Sequence, residues 1–168
     1  LPTVGRGVTC VAGHLYVADD SGGILSADLS DPLVPRWTGT NTLSGEAWGV
    51  VAVDTSLFVA AGLAGLEVWN LTNPSTPSPL GVVPIGLRAV QPVVVGDLAY
   101  VAAGEMGFRV YSLTDVTRPR PVASVEGLGN VRSVAVQGAL AAVGDGAGRL
   151  RTLDVSDPVN PRLLGTYH

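Results

Sequence analysis

The stretch Leu15–Pro35, LYVADDSGGILSADLSDPLVP, returns as Leu57–Pro77, LFVAAGLAGLEVWNLTNPSTP, and again as Ala99–Pro119, AYVAAGEMGFRVYSLTDVTRP. Each copy lies 42 residues beyond the last, and Arg149–Pro161, RLRTLDVSDPVNP, carries the second half of a fourth. The columns hold across the chain. Tyr16, Phe58, Tyr100 and Ala142 share one, Ile24, Leu66, Phe108 and Leu150 another, and Pro35, Pro77, Pro119 and Pro161 a third. A period in this range is the mark of a repeat architecture, each unit being one supersecondary element that stacks on its neighbours. The chain of 168 residues divides without insertion into repeats 1–42, 43–84, 85–126 and 127–168.

Within a repeat the apolar residues fall in short runs at β rather than helical spacing. The second repeat gives GVVAVD (49–54), LFVAA (57–61), LEVWNL (66–71) and PLGVV (79–83), which predict four strands. The first two runs are apolar on both faces, as strands sandwiched between neighbouring sheets must be. The slot holding Leu25, Glu67, Arg109 and Arg151 reads as an outward position. Trp69 and Tyr111 share a third-strand slot with Ala27 and Leu153 and are expected to pack in the core.

The turns repeat as well. Asp28-Leu-Ser-Asp-Pro, Asn70-Leu-Thr-Asn-Pro and Asp154-Val-Ser-Asp-Pro follow the third strand, placing side chains that bond their own backbone ahead of a ring with fixed φ. The recurring Asp28, Asp31, Asp154 and Asp157 are therefore expected to serve these turns rather than to form a carboxylate array. Four short strands in about 42 residues is the pattern of a β-propeller blade. The expected fold is all-β: a single β-propeller domain over 1–168, each repeat a four-stranded antiparallel blade.

The letters also resemble the LVIVD repeat family, whose units carry a YVA second strand, a Gly-rich turn and a third strand running into SDP and a further Pro. Val116 departs from that pattern where the other repeats have Pro, and Ala142 departs where they have an aromatic. The resemblance implies a propeller-type repeat protein that is exported, periplasmic or associated with the cell surface. It carries no activity with it.

Four blades can close alone, form part of a longer ring, or pair with a second copy into eight. The repeat ends fall between an outermost and an innermost strand, so no strand exchange between the termini closes the ring. An open stack would leave apolar end faces exposed. The chain opens on Leu1 rather than Met and reads as a processed or excised piece.

Composition narrows the function. The chain is 46% hydrophobic, with 22 Gly and 12 Pro to supply turns, and its 10 basic residues are all Arg. A net charge of -4 and the absence of a basic stripe argue against nucleic acid as partner. No apolar run reaches the roughly 18–20 residues of a membrane helix. A single cysteine, Cys10, forms no intrachain disulfide and sits in an innermost-strand slot with Ala52, Val94 and Val136, where a small buried hydrophobe is expected.

The segment Asp19-Asp20-Ser21-Gly22-Gly23 has the letters that surround a serine-protease nucleophile. Nothing else of a triad accompanies it, since His14 lies seven residues before Ser21 on the same short repeat. In its column it stands beside AGLAG, AGEMG and GDGAG, so it is the turn between second and third strands. With only His14 and His168 and one Cys, a zinc site is not expected. Asp19 and Asp20 offer oxygen ligands for calcium, without the alternating acids of a calcium loop.

In a propeller these turns and the links between blades emerge at one end, around the mouth of the channel. That end would collect Asp19, Asp20, Ser21, Glu105 and Asp145 from the turns, and Glu46, Trp48, Arg88 and Arg132 from the links. Charge varies most at these slots, where a repeat protein can specialise without disturbing its core. The expected function is a non-enzymatic binding or scaffold propeller presenting a mixed-charge, net acidic mouth to a protein or glycan. The alternatives are a calcium-assisted or enzymatic site built there on Asp19, Asp20, Glu46 and Glu105, and a structural half of an eight-bladed homodimer.

Overall fold

A computed structural model describes residues 4–20, 23–85 and 88–167, and these contain sixteen strands and no helix. Blade 1 comprises β1 (Gly5–Val11), β2 (His14–Asp19), β3 (Gly23–Asp28) and β4 (Arg36–Asn41). Blade 2 comprises β5 (Gly49–Val53), β6 (Ser56–Ala60), β7 (Leu66–Asn70) and β8 (Ser78–Val83). Blade 3 comprises β9 (Gln91–Val95), β10 (Leu98–Ala102), β11 (Phe108–Ser112) and β12 (Arg120–Val125). Blade 4 comprises β13 (Val131–Gln137), β14 (Leu140–Asp145), β15 (Leu150–Asp154) and β16 (Arg162–Tyr167).

Each sheet is an antiparallel meander with its strands in chain order, and each lies within one 42-residue repeat. The third and fourth strands share a register shift at one place in every blade, for example between Val68 and Trp69, which curls the outer edge of the sheet. The strand-three turns form as expected. The carboxylate of Asp28 accepts the Ser30 N–H, and Asp31, Asp154 and Asp157 do the same for Leu33, Ser156 and Val159.

The core lies between blades. Tyr16 packs on Leu57, Val59 and Trp69 of blade 2, Phe58 on Ala99, Val101 and Tyr111 of blade 3, and Tyr100 on Ala141, Val143 and Leu153 of blade 4. The ring at this column thus always faces the following blade. Burying each such side chain contributes about 1.5–3 kcal/mol, so the interfaces rather than the sheets hold the array together. The innermost strands approach closely where side chains are absent: a Cβ on Gly49 would stand 2.6 Å from the Val90 carbonyl oxygen. Side chains cap the free edge of the next innermost strand, with Thr9 Oγ1 accepting the Ala52 N–H at 3.2 Å and Gln91 Oε1 accepting the Val134 N–H at 3.1 Å.

Innermost strand β1 packs on β5, β5 on β9 and β9 on β13, but among the described residues no comparable packing joins β13 to β1. The end blades show it. Val8 is 62% exposed, whereas Val50 and Val134 in the same column are 9% and 4% exposed. Cys10 is exposed for the same reason, contrary to the buried position expected for it: among the described residues no blade packs on that side of β1.

The slot of Leu25, Glu67, Arg109 and Arg151 also differs from expectation. It faces the preceding blade or link, and Glu67 and Arg151 are buried. Their charged heads find partners there. Glu67 accepts the Ser44 N–H and the Trp69 indole N–H, and Arg151 donates to the Leu128 carbonyl.

Candidate functional site

The turns between second and third strands and the links between blades do emerge at the same end, and short bridges tie them together. Gly62 pairs with Ala89, Gly104 with Val131, and the Gly146 N–H reaches the Asn130 carbonyl. In blades 1 to 3 these turns close on Gly23, Gly65 and Gly107, all at positive φ. A Cβ on Gly65 would run into the carbonyl oxygen of Val83, so only glycine lets the turn fold back on the outer strand. Blade 4 has Arg149 in that column and moves the positive φ to Gly148, where a side chain would meet nothing.

The bridged links surround a cleft of about 310 Å³ lined by Trp48, Leu63, Arg88, Glu105, Asn130 and Arg132. It adjoins a wider groove down the innermost strands, lined by Arg6, Trp48, Gln91 and Arg132 among others. Trp48 is the centre of the arrangement. The Arg6 guanidinium lies over its ring at 3.8 Å from the centroid, that of Arg88 at 4.6 Å, and its indole N–H donates to Glu46 at 3.1 Å. A cation held over an indole face is attracted by the ring quadrupole, so the two guanidiniums and the ring order one another.

The structure sorts the expected mouth residues into two groups. Trp48, Arg88, Glu105 and Arg132 line the cleft and Glu46 braces Trp48. The aspartates are taken up by the chain itself. Asp19 is buried and accepts the Val4 N–H at 2.9 Å. Asp20 receives both Arg6 Nε and Nη2 at 2.9 Å, and that contact holds its carboxyl below the usual range. A calcium ion at Asp20 would have to displace this guanidinium. Ser21 and His168 lie outside the described residues.

Asp145 is held by four donors. It accepts the N–H groups of Arg149 and Ala147, and its Oδ2 takes Arg149 Nε at 2.9 Å and Arg151 Nη1 at 3.0 Å. The Arg149 backbone N–H above all, then the Arg151 guanidinium, the Ala147 N–H and the Arg149 side chain, hold its carboxyl far below the ordinary range, against the opposing effect of burial. Arg6, Leu63 and Asn130 were not anticipated from sequence. Arg6 carried a signal, being a cation in an otherwise small and apolar innermost strand, whereas Leu63 and Asn130 carried none.

Four four-stranded antiparallel blades, packed one on the next in chain order, give the protein a β-propeller fold. Residues 128–168, which span blade 4, match the family model of the LVIVD repeat. No curated protein matches the chain. Among solved structures it superposes with a TM-score of 0.75 on the computationally designed Ika8 protein, at 10% identity, over 95% of this chain and 48% of that one. It superposes with a TM-score of 0.73 on the computationally designed Ika4 protein, also at 10% identity, over 90% of this chain and 91% of that one. The chain thus spans about half the length of the first of these designs and nearly all of the second.

Proposed function

We propose that the protein is a non-enzymatic binding or scaffold propeller whose mixed-charge channel mouth takes a protein or glycan partner. The observation that carries this is the cleft in which the Trp48 indole, packed against the Arg6 and Arg88 guanidiniums, stands beside Arg132, Glu105 and Asn130. Guanidiniums ordered by an indole, with an amide and a carboxylate beside them, suit the hydroxyls and carboxylate of an acidic sugar, or a peptide side chain with a carboxylate. The three aspartates of the mouth are engaged with the chain's own N–H groups and guanidiniums, which leaves Glu105 as the carboxylate lining the cleft.

An array of glycans and peptides, both neutral and carboxylate-bearing, tests the reading. Binding should fall at least tenfold with Trp48→Ala and with the double substitution of Arg88 and Arg132 by Ala. Turnover of a substrate by the chain, abolished by one change at the rim, would instead establish an enzyme. An exported or cell-surface location rests on the resemblance to the LVIVD repeat proteins and is checked by fractionating the source cells.

A second reading, that four blades are half of an eight-bladed assembly, is favoured by the end faces. Leu150 is 47% exposed while Ile24, Leu66 and Phe108 in the same column are fully buried.

A further inference from the structure

We infer that two copies of the chain close a ring, blade 4 of each seating on blade 1 of the other in the register of the three interfaces within the chain. This rests on the half-ring reading and gives it a partner and a set of contacts. The end faces are those of an interface that has lost one side. Besides Leu150, blade 4 leaves Leu140 46% exposed, and blade 1 leaves Val8 62% and Leu33 91% exposed.

Carrying the repeat across the gap assigns the contacts. His14 Nε2 meets Ser75 Oγ at 2.9 Å across the first interface, and the same step takes Leu140 to Leu33 of the second copy. A polar pair inside the chain is thus replaced by an apolar pair, and both members are exposed in a single copy. Asn41 donates to the Pro77 carbonyl, and the same step takes the Tyr167 phenol to the Pro35 carbonyl. Tyr167 already lies across Gly165 on this face, supplying from the outer strand the ring that Ala142 lacks. Gln91 caps the Val134 N–H, and the corresponding step brings the Ser133 hydroxyl to the Val8 N–H on the open edge of β1.

A second copy fits better than an unrelated partner, because each open face is the other half of an interface the chain already builds three times. A head-to-tail contact of this kind forms either a closed ring or an open filament, according to whether its rotation closes. The array superposes on 48% of the Ika8 chain, so that chain has the length of about two such arrays.

Sedimentation equilibrium and a cysteine pair separate the outcomes. The chain should run at twice its 17.1 kDa mass, and a single-chain mass would overturn both the half-ring reading and this interface. Thr9 Oγ1 lies 3.2 Å from the Ala52 nitrogen, and the same step places Ala135 against Cys10 of the second copy. Ala135→Cys should therefore cross-link to Cys10 under a thiol oxidant such as diamide, giving a covalent dimer and nothing larger.

A ladder of larger species would mean an open stack and overturn the ring. No cross-link at the dimer mass would overturn the register while sparing the half-ring reading. Leu150→Arg and Val8→Arg should each return the mass to that of one chain with the β-sheet circular dichroism unchanged, since both positions are exposed in a single copy. Dimers that persist in both variants would overturn the assignment of these faces.

Discussion

Arg151 Nη1 lies 3.0 Å from Asp145 Oδ2, a buried ion pair that ties the third strand of blade 4 to its mouth turn and, through the Leu128 carbonyl, to the link from blade 3. Because the folded carboxyl sits below its unfolded value, its stabilisation is complete above about pH 3.9 and is lost as the pH falls below that. Asp145→Asn should flatten the acid limb of a stability-against-pH curve. It should also lower the Tm near neutral pH by at least about 5 °C, since Arg151 keeps its buried charge without a partner. Thermal melts between acid and neutral pH check both.

At the opposite limb, burial pushes the Tyr16 phenol up to about 12 while its hydroxyl donates to the Pro74 carbonyl at 2.7 Å. Stability from this group is complete below the unfolded value of about 10 and declines as the pH rises through the folded one. Tyr16→Phe should remove that alkaline decline and cost about 1–3 kcal/mol at neutral pH, from the carbonyl left unpaired. Urea titrations at neutral and alkaline pH measure the two effects separately.

Gly65 has φ at +103° and its Cα faces the Val83 carbonyl. Gly65→Ala should destabilise by at least about 2 kcal/mol, through a strained backbone and the displaced outer strand. Gly148→Ala, with open space around it, should cost only the backbone strain, about 1 kcal/mol. Equal losses in chemical denaturation would contradict the distinction.

Arg88→Ala removes one of the two cations over Trp48. The expected loss of stability is about 0.5–1 kcal/mol, because the contact is at the surface. With Trp37 and Trp69 contributing alike to parent and variant, the tryptophan emission should shift to longer wavelength as the Trp48 ring becomes more hydrated, and a spectrum identical to that of the parent would show that Arg88 does not hold the ring.

The charged slot Leu25, Glu67, Arg109 and Arg151 shows where sequence patterning misleads. Charge within an apolar strand ordinarily marks the solvated face, but in a stack of blades both faces of a third strand are covered. The charges are kept there by partners far away in sequence: Ser44 lies 23 residues before Glu67 and Leu128 the same distance before Arg151. Cys10 misleads in the other direction. Its column was right, and its burial depended on a neighbouring blade that a column cannot reveal.

The repeat, the four strands of each blade, the Asx turns and the end of the array at which the variable residues gather are all legible in the amino-acid letters. These follow from local patterns, alternation, ring closure at Pro and the side chains that bond their own backbone, copied every 42 residues. Packing sorts the gathered residues into those that line a cleft and those the chain's own donors engage. Asp19, Asp20 and Asp145 were captured by N–H groups and guanidiniums, leaving Trp48, Arg88, Glu105 and Arg132 to line it. Packing also leaves blades 1 and 4 an open face each, with Val8 and Leu150 exposed, because burial there needs a second blade alongside and no single repeat encodes one.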